Sequence, residues 1–85
     1  MRTKPHVKFY TRPGCHLCEE AREQISAAGI AAEYTFEEVN IDTDPALRAL
    51  YGWEIPVIVI DGVAVFKCRL SAAEFRREIR AASRA

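Results

Sequence analysis

The run Ile55-Pro56-Val57-Ile58-Val59-Ile60, closed by Asp61-Gly62, constrains the fold of this chain more than any other stretch. Consecutive β-branched residues without alternation describe a strand covered on both faces. The run is far too short to cross a membrane. Asp-Gly signals a tight hairpin, so the chain should return at once through Val63, Val65 and Phe66. A sheet buried on both faces needs a layer on each side. The chain has 85 residues, 49% of them hydrophobic, enough for one small domain and not for two. The covering layers must then be helices of that same domain.

The remaining pattern supplies those helices. Val7 and Phe9 alternate with Lys8 and Tyr10 as a first strand, which Thr11-Arg12-Pro13-Gly14 interrupts. Leu17, Ala21, Ile25 and Ala28 then recur at helical steps. Glu19 and Glu20 fall in the first turn, where carboxylates suit the helix dipole, and Gly29 is a natural stop. Tyr34, Phe36, Val39 and Ile41 suggest a second strand. Asp44-Pro45 opens a short helix, with Asp as N-cap and Pro at the first position. Leu47, Leu50 and Tyr51 should form its inner face, and Gly52 should end it. Ser71-Ala72-Ala73-Glu74 reads as a capping box, with Leu70 and Phe75 placed as a hydrophobic staple. On this last helix Phe75 and Ile79 should point inward and Arg76, Arg77 and Arg80 outward.

The expected architecture is α/β: a four-stranded mixed sheet with three helices, in the order β-α-β-α-β-β-α. Helical crossovers predict that the first three strands are parallel and the last pair antiparallel. Residues 1–5 are expected to form a flexible leader and 6–85 a single domain. Twelve basic and twelve acidic side chains cancel, which argues against a nucleic-acid partner. Nothing resembles the apolar segment of a signal peptide. Three cysteines, Cys15, Cys18 and Cys68, make a poor disulfide framework. The expectation is a cytoplasmic monomer, away from membranes, with its thiols normally reduced.

Cys15-His16-Leu17-Cys18 is the chemically sharp feature. It follows a strand and opens a helix, so the spacing brings the second sulfur within bonding reach of the first. Cys15 should sit at the helix N-terminus, nearer solvent, with Cys18 one turn deeper. Free N–H groups and the positive dipole end favour a thiolate there. Arg12 can add a fixed positive charge. Cys15 is thus the expected nucleophile of thiol–disulfide exchange and Cys18 the residue that resolves the mixed disulfide. No bound cofactor or metal is required. His16 is either a redox tuner or an exposed first-turn residue. Cys68 is either a third redox thiol or a small packing residue. Trp53 either flanks the site or closes a loop. The arginines of the last helix form a solvated face or a docking surface.

Lys8-Phe9-Tyr10-Thr11-Arg12-Pro13-Gly14-Cys15-His16-Leu17-Cys18 resembles the opening of glutaredoxin-like proteins of the thioredoxin superfamily. Ile55 through Gly62 resembles that family's strand beginning with a cis-proline. Phe66-Lys67-Cys68-Arg69 resembles a stretch of its short bacterial members. The resemblance implies a thioredoxin fold and a dithiol thiol–disulfide oxidoreductase, with Cys15 and Cys18 as the redox-active pair. It implies a cis Ile55–Pro56 bond that lets the Ile55 backbone face an extended substrate. It places Arg12 where glutaredoxins help to hold glutathione, which would make glutathione a possible co-substrate. Substrates would be disulfide-containing proteins or glutathione mixed disulfides. Electrons would come from glutathione or a thioredoxin-reductase-type donor. The chain departs from the glutaredoxin pattern at His16-Leu17, at Glu54-Ile55, at Phe66-Lys67 in place of two glycines, and at Arg69-Leu70. Two alternatives belong to other classes. One is a metal or iron–sulfur carrier using Cys15, Cys18 and Cys68. The other is a binding adaptor with a vestigial redox site.

Overall fold

The computed structural model describes residues 4–84. Strand β1 spans His6–Thr11, helix α1 His16–Ala27, β2 Thr35–Asn40, α2 Pro45–Tyr51, β3 Val57–Ile60, β4 Val63–Lys67 and α3 Ala72–Arg84. Short 3-10 turns at Ala31–Glu33 and Ile41–Thr43 flank β2. The elements follow the expected order. Residues 1–3 of the expected leader lie outside the described residues. Pro5, assigned to that leader, is instead buried, and its carbonyl accepts the Thr35 N–H at 2.9 Å.

The strands form one sheet in the order β2-β1-β3-β4. β1 and β2 are parallel, as expected of a pair joined by a full helical crossover. β3 runs antiparallel to β1, with Tyr10 opposite Val57 and Val7 opposite Ile60. This corrects the expectation that the first three strands are parallel. The reason is length. The seven residues of α2 rise only about 10 Å, whereas recrossing the sheet would take about 20 Å. The chain therefore enters β3 at the end of the sheet where β2 left it. β3 and β4 are antiparallel with an irregularity at Ile58/Val59. Asp61 and Gly62 both adopt positive φ, 49° and 85°, the pairing that a two-residue hairpin of the mirror-image type requires.

Alternation on β1 divides the molecule. Val7 and Phe9 point into the main core with Ile58 and Ile60 of β3, Cys18, Ala21 and Ile25 of α1, and Phe75 and Ile79 of α3. Tyr34 meets Phe75 edge-on, with ring centroids 5.2 Å apart. Tyr10 points the other way and packs on Tyr51 of α2, centroids 4.9 Å apart. All four residues of β3 are buried, as its unbroken apolar pattern requires. The two helical layers are unequal, however. α2 buries none of its residues, and Leu50, expected on its inner face, is 61% exposed.

The last helix begins as its sequence dictates. Ser71 Oγ accepts the Glu74 N–H at 3.1 Å, and Glu74 Oε1 accepts the Ser71 N–H at 3.2 Å. Gln24 Oε1 accepts the Ala72 N–H at 3.0 Å, so α1 also helps cap α3.

Candidate active site

Four residues carry the chain from β1 into α1. Gly14 takes φ +78°, with open space around the position of a Cβ. Backbone conformation rather than crowding therefore calls for glycine there. Cys15 follows as the helix N-cap, in extended conformation. Its sulfur accepts the Cys18 N–H at 3.1 Å, the role a serine or aspartate oxygen commonly fills. Its carbonyl accepts the Glu19 N–H and opens the helical ladder.

Cys15 and Cys18 are joined by a disulfide, their Cα atoms 5.2 Å apart, within the ordinary range for such a bond. The two sulfurs differ in access. Cys18 is 1% exposed and belongs to the core cluster, while Cys15 is half-buried at its edge. A reactant arriving from solvent meets Cys15 first.

The Ile55–Pro56 bond is cis, and Pro56 is buried just before β3. Because Tyr10 pairs with Val57, the register sets Pro56 level with Thr11, at the end of the sheet that carries the cysteines. Ile55 and Cys15 both pack on the main core. The loop holding Pro56 is fastened from β4. The Cys68 N–H donates to the carbonyls of Glu54 (3.2 Å) and Pro56 (2.8 Å). The Cys68 thiol lies 3.6 Å from the Glu54 carbonyl, and Lys67 Nζ donates to Glu54 Oε2 at 3.0 Å. Cys68, at φ +68°, thus braces the proline loop. Among the described residues no group of three or more His, Cys, Asp or Glu side chains could hold a metal ion.

The other candidates are placed differently. Arg12 donates to Asp42 Oδ1 through Nε (3.2 Å) and Nη2 (2.7 Å). That hydrogen bond, reinforced by the charges of Arg12 and Arg48, holds the Asp42 carboxyl below the usual aspartate range against a smaller desolvation effect. His16 is 85% exposed and reaches only Glu20, at 3.9 Å, an exposed contact of little energetic weight. Trp53 is 97% exposed and closes no loop. With Arg12, Arg48 and Gly52 it lines a shallow hollow of about 250 Å³. A second groove, about 330 Å³, runs between α1 and residues 68–71, touching Leu17, Gln24, Cys68 and Arg69. Cys15 and Cys18 do not line it.

Sequence reasoning missed Asp42 and Glu54 as the partners of the site's cations. Neither pairing is local, since Arg12 and Asp42 are 30 positions apart. The one signal was Asn40, whose side chain accepts the Asp42 N–H at 2.9 Å and shapes the turn that presents the carboxylate.

Residues 6–80 match the family described as "Glutaredoxin-like domain (DUF836)". The chain belongs to this family. A glutaredoxin-like domain of Dictyostelium discoideum, "Glutaredoxin-like protein YDR286C homolog", is 34% identical over 71 residues, 76% of this chain and 66% of that protein. The X. campestris protein XcR50 superposes with a TM-score of 0.74 at 32% identity, covering 88% of this chain and 96% of that one. Thioredoxin of Fasciola hepatica shares the fold at a TM-score of 0.65 and 21% identity, over 94% of this chain and 82% of its own. The glutaredoxin-like domain therefore has a thioredoxin fold, and its Cys-x-x-C pair gives it redox capability. No helix among the described residues is long and apolar enough to cross a membrane.

Proposed function

We propose that this glutaredoxin-like domain is a dithiol thiol–disulfide oxidoreductase. The observation that carries the reading is the asymmetric pair: an accessible Cys15 sulfur capping a helix, bonded to a buried Cys18 sulfur. In the reduced state the groups that cap the helix would stabilise a Cys15 thiolate. That thiolate attacks one sulfur of a substrate disulfide. The substrate S–S bond breaks, a mixed disulfide with Cys15 forms, and the departing thiolate takes a proton from water. Cys18, losing its proton, then attacks the Cys15 sulfur. The second substrate thiolate leaves, and the Cys15–Cys18 bond closes. Two electrons have passed from the protein dithiol to the substrate.

A separate thiol donor, glutathione or a reductase of the thioredoxin-reductase type, returns the pair to the dithiol. No bound cofactor takes part. Substrates are disulfide-containing proteins or glutathione mixed disulfides, met in the cytoplasm, where a reversible pair is kept reduced. Pro56 and Ile55 support the reading by their place at the cysteine end of the sheet, where an extended substrate segment would lie.

The test is a pair of substitutions. Cys15→Ser should abolish reduction of a model disulfide. Cys18→Ser should retain the first attack and accumulate a mixed disulfide, visible by intact-mass spectrometry. Full activity of the Cys15 variant would overturn the assignment.

A further inference from the structure

The outer side of the α1/α3 layer is divided by charge. Both helices pack on the main core from one face of the sheet, and two hydrogen bonds fix how they run. Gln24 Oε1 accepts the Ala72 N–H at 3.0 Å, and Arg76 Nε donates to the Ala28 carbonyl at 3.2 Å. Four residues further along one helix meet four residues further along the other, so the helices point the same way. α3 therefore begins level with the last turn of α1 and runs on past its end.

Glu19, Glu20 and Glu23 stand exposed on α1, whose buried side is Cys18, Ala21 and Ile25, before α3 begins. Arg77, Arg80 and Arg84 stand exposed on α3, away from the buried Phe75 and Ile79, past the end of α1. The two groups lie roughly 15 Å apart along the layer. Neighbouring charges are mostly engaged elsewhere. Arg22 turns to Glu38, Arg80 shares its charge with Glu33 at 3.3 Å, and Glu74 caps its own helix. Arg69 lies in the groove beside Glu20 and Glu23, and Glu78 is half-buried. Among the described residues the side chains of Glu19, Glu23, Arg77 and Arg84 form no hydrogen bond or ion pair. Ala27, Ala73 and Ala81 are exposed between the charges, so nothing bulky there holds a facing surface away.

A face that is acidic at one end and basic at the other is complementary to itself when turned end over end. A two-fold axis in the plane of contact, midway between the two groups, brings each onto the other. Twelve basic and twelve acidic side chains cancel, so no net repulsion opposes the approach. We propose that the outer face of α1 and α3 is a contact surface for a second copy of this chain. Glu19 and Glu23 of each copy then lie against Arg77 and Arg84 of the other. Exposed ion pairs are individually weak, so the dimer is weak and salt-sensitive, in place of the monomer that the sequence suggests.

The experiment is analytical ultracentrifugation of the full chain with a thiol reductant present, so that no disulfide can link copies. At low salt the weight-average mass should rise with concentration toward twice the monomer, and high salt should return it to one. Arg77→Glu/Arg84→Glu and Glu19→Arg/Glu23→Arg should each weaken association about tenfold or more, since like charges then face each other. An equimolar mixture of the two variants should associate again, because opposite charges meet at both ends. Damage to the fold could not produce that rescue. Circular dichroism checks folding, and the salt response of the wild type stands as a test if a variant fails it. A wild type that stays monomeric at low salt, association that runs past the dimer, reversals that leave it unmoved, or folded variants that do not rescue each other would each overturn the inference.

Discussion

At the scale of single residues, local spacing and long-range pairing divide what could be read early from what could not. Cys15 and Cys18 were legible because one helical turn fixes their relation. Gly14 and the N-cap position followed from the same few residues. The Arg12–Asp42 pair was not legible, because it depends on how the turn after β2 lies beside the turn after β1. Asp42 also supplies a pH prediction. Its folded carboxyl is held below the ordinary aspartate range, chiefly by the hydrogen bond from Arg12. A carboxyl of this kind contributes stability above its unfolded pKa, near 3.9, and loses it as pH falls through the lower folded value. Asp42→Asn should therefore melt below the wild type at neutral pH, and the difference should close in strong acid. Melting curves of both proteins across that range check it. A gap that widens toward acid would contradict the ion pair.

Elements were legible where each carries its own start and stop. The capping box at Ser71 and Glu74 and the Asp61-Gly62 hairpin appear in the structure as the residues demand. Ser71→Ala removes the oxygen that caps the Glu74 N–H. It should cost about 1 kcal/mol, which in a domain of this size lowers the melting temperature by roughly 4–8 °C. Thermal unfolding followed by circular dichroism measures it, and an unshifted transition would show that the helix start does not depend on the Ser71 hydroxyl. Helix α2 misled in two ways. Its apolar residues at helical spacing suggest a buried face, yet Leu50 is 61% exposed, and Tyr51 packs on Tyr10 of the sheet. Its place between two strands also suggests a crossover, although seven residues cannot recross the sheet. Periodicity reports which side of a helix is apolar. It does not report how far the helix travels or how much it covers.

At the scale of the whole molecule, that reversal of β3 is what assembles the site. Had β3 run parallel to β1, Pro56 would lie about 20 Å from the cysteines, at the far end of the sheet. Because β3 is antiparallel, its first residue pairs with Tyr10, and the proline loop arrives where α1 begins. The same short connection leaves the two layers unequal. α1 and α3 share the main core with β1 and β3, whereas α2 buries no residue. Segments with few buried apolar contacts open at lower free energy than the core. Opening α2 would expose little apolar surface, so it need not wait for global unfolding. Native-state hydrogen exchange should show amides of α2 exchanging well before those of β1, β3 and the inner turns of α3, while the cysteine turn stays as protected as α1. Since α2 carries Arg48 and leads into Trp53 and the proline loop, such openings would loosen that loop and leave the disulfide in place. Protection of α2 equal to that of β1 and β3 would mean that the thin layer is held as firmly as the core, and that the molecule opens only as one unit.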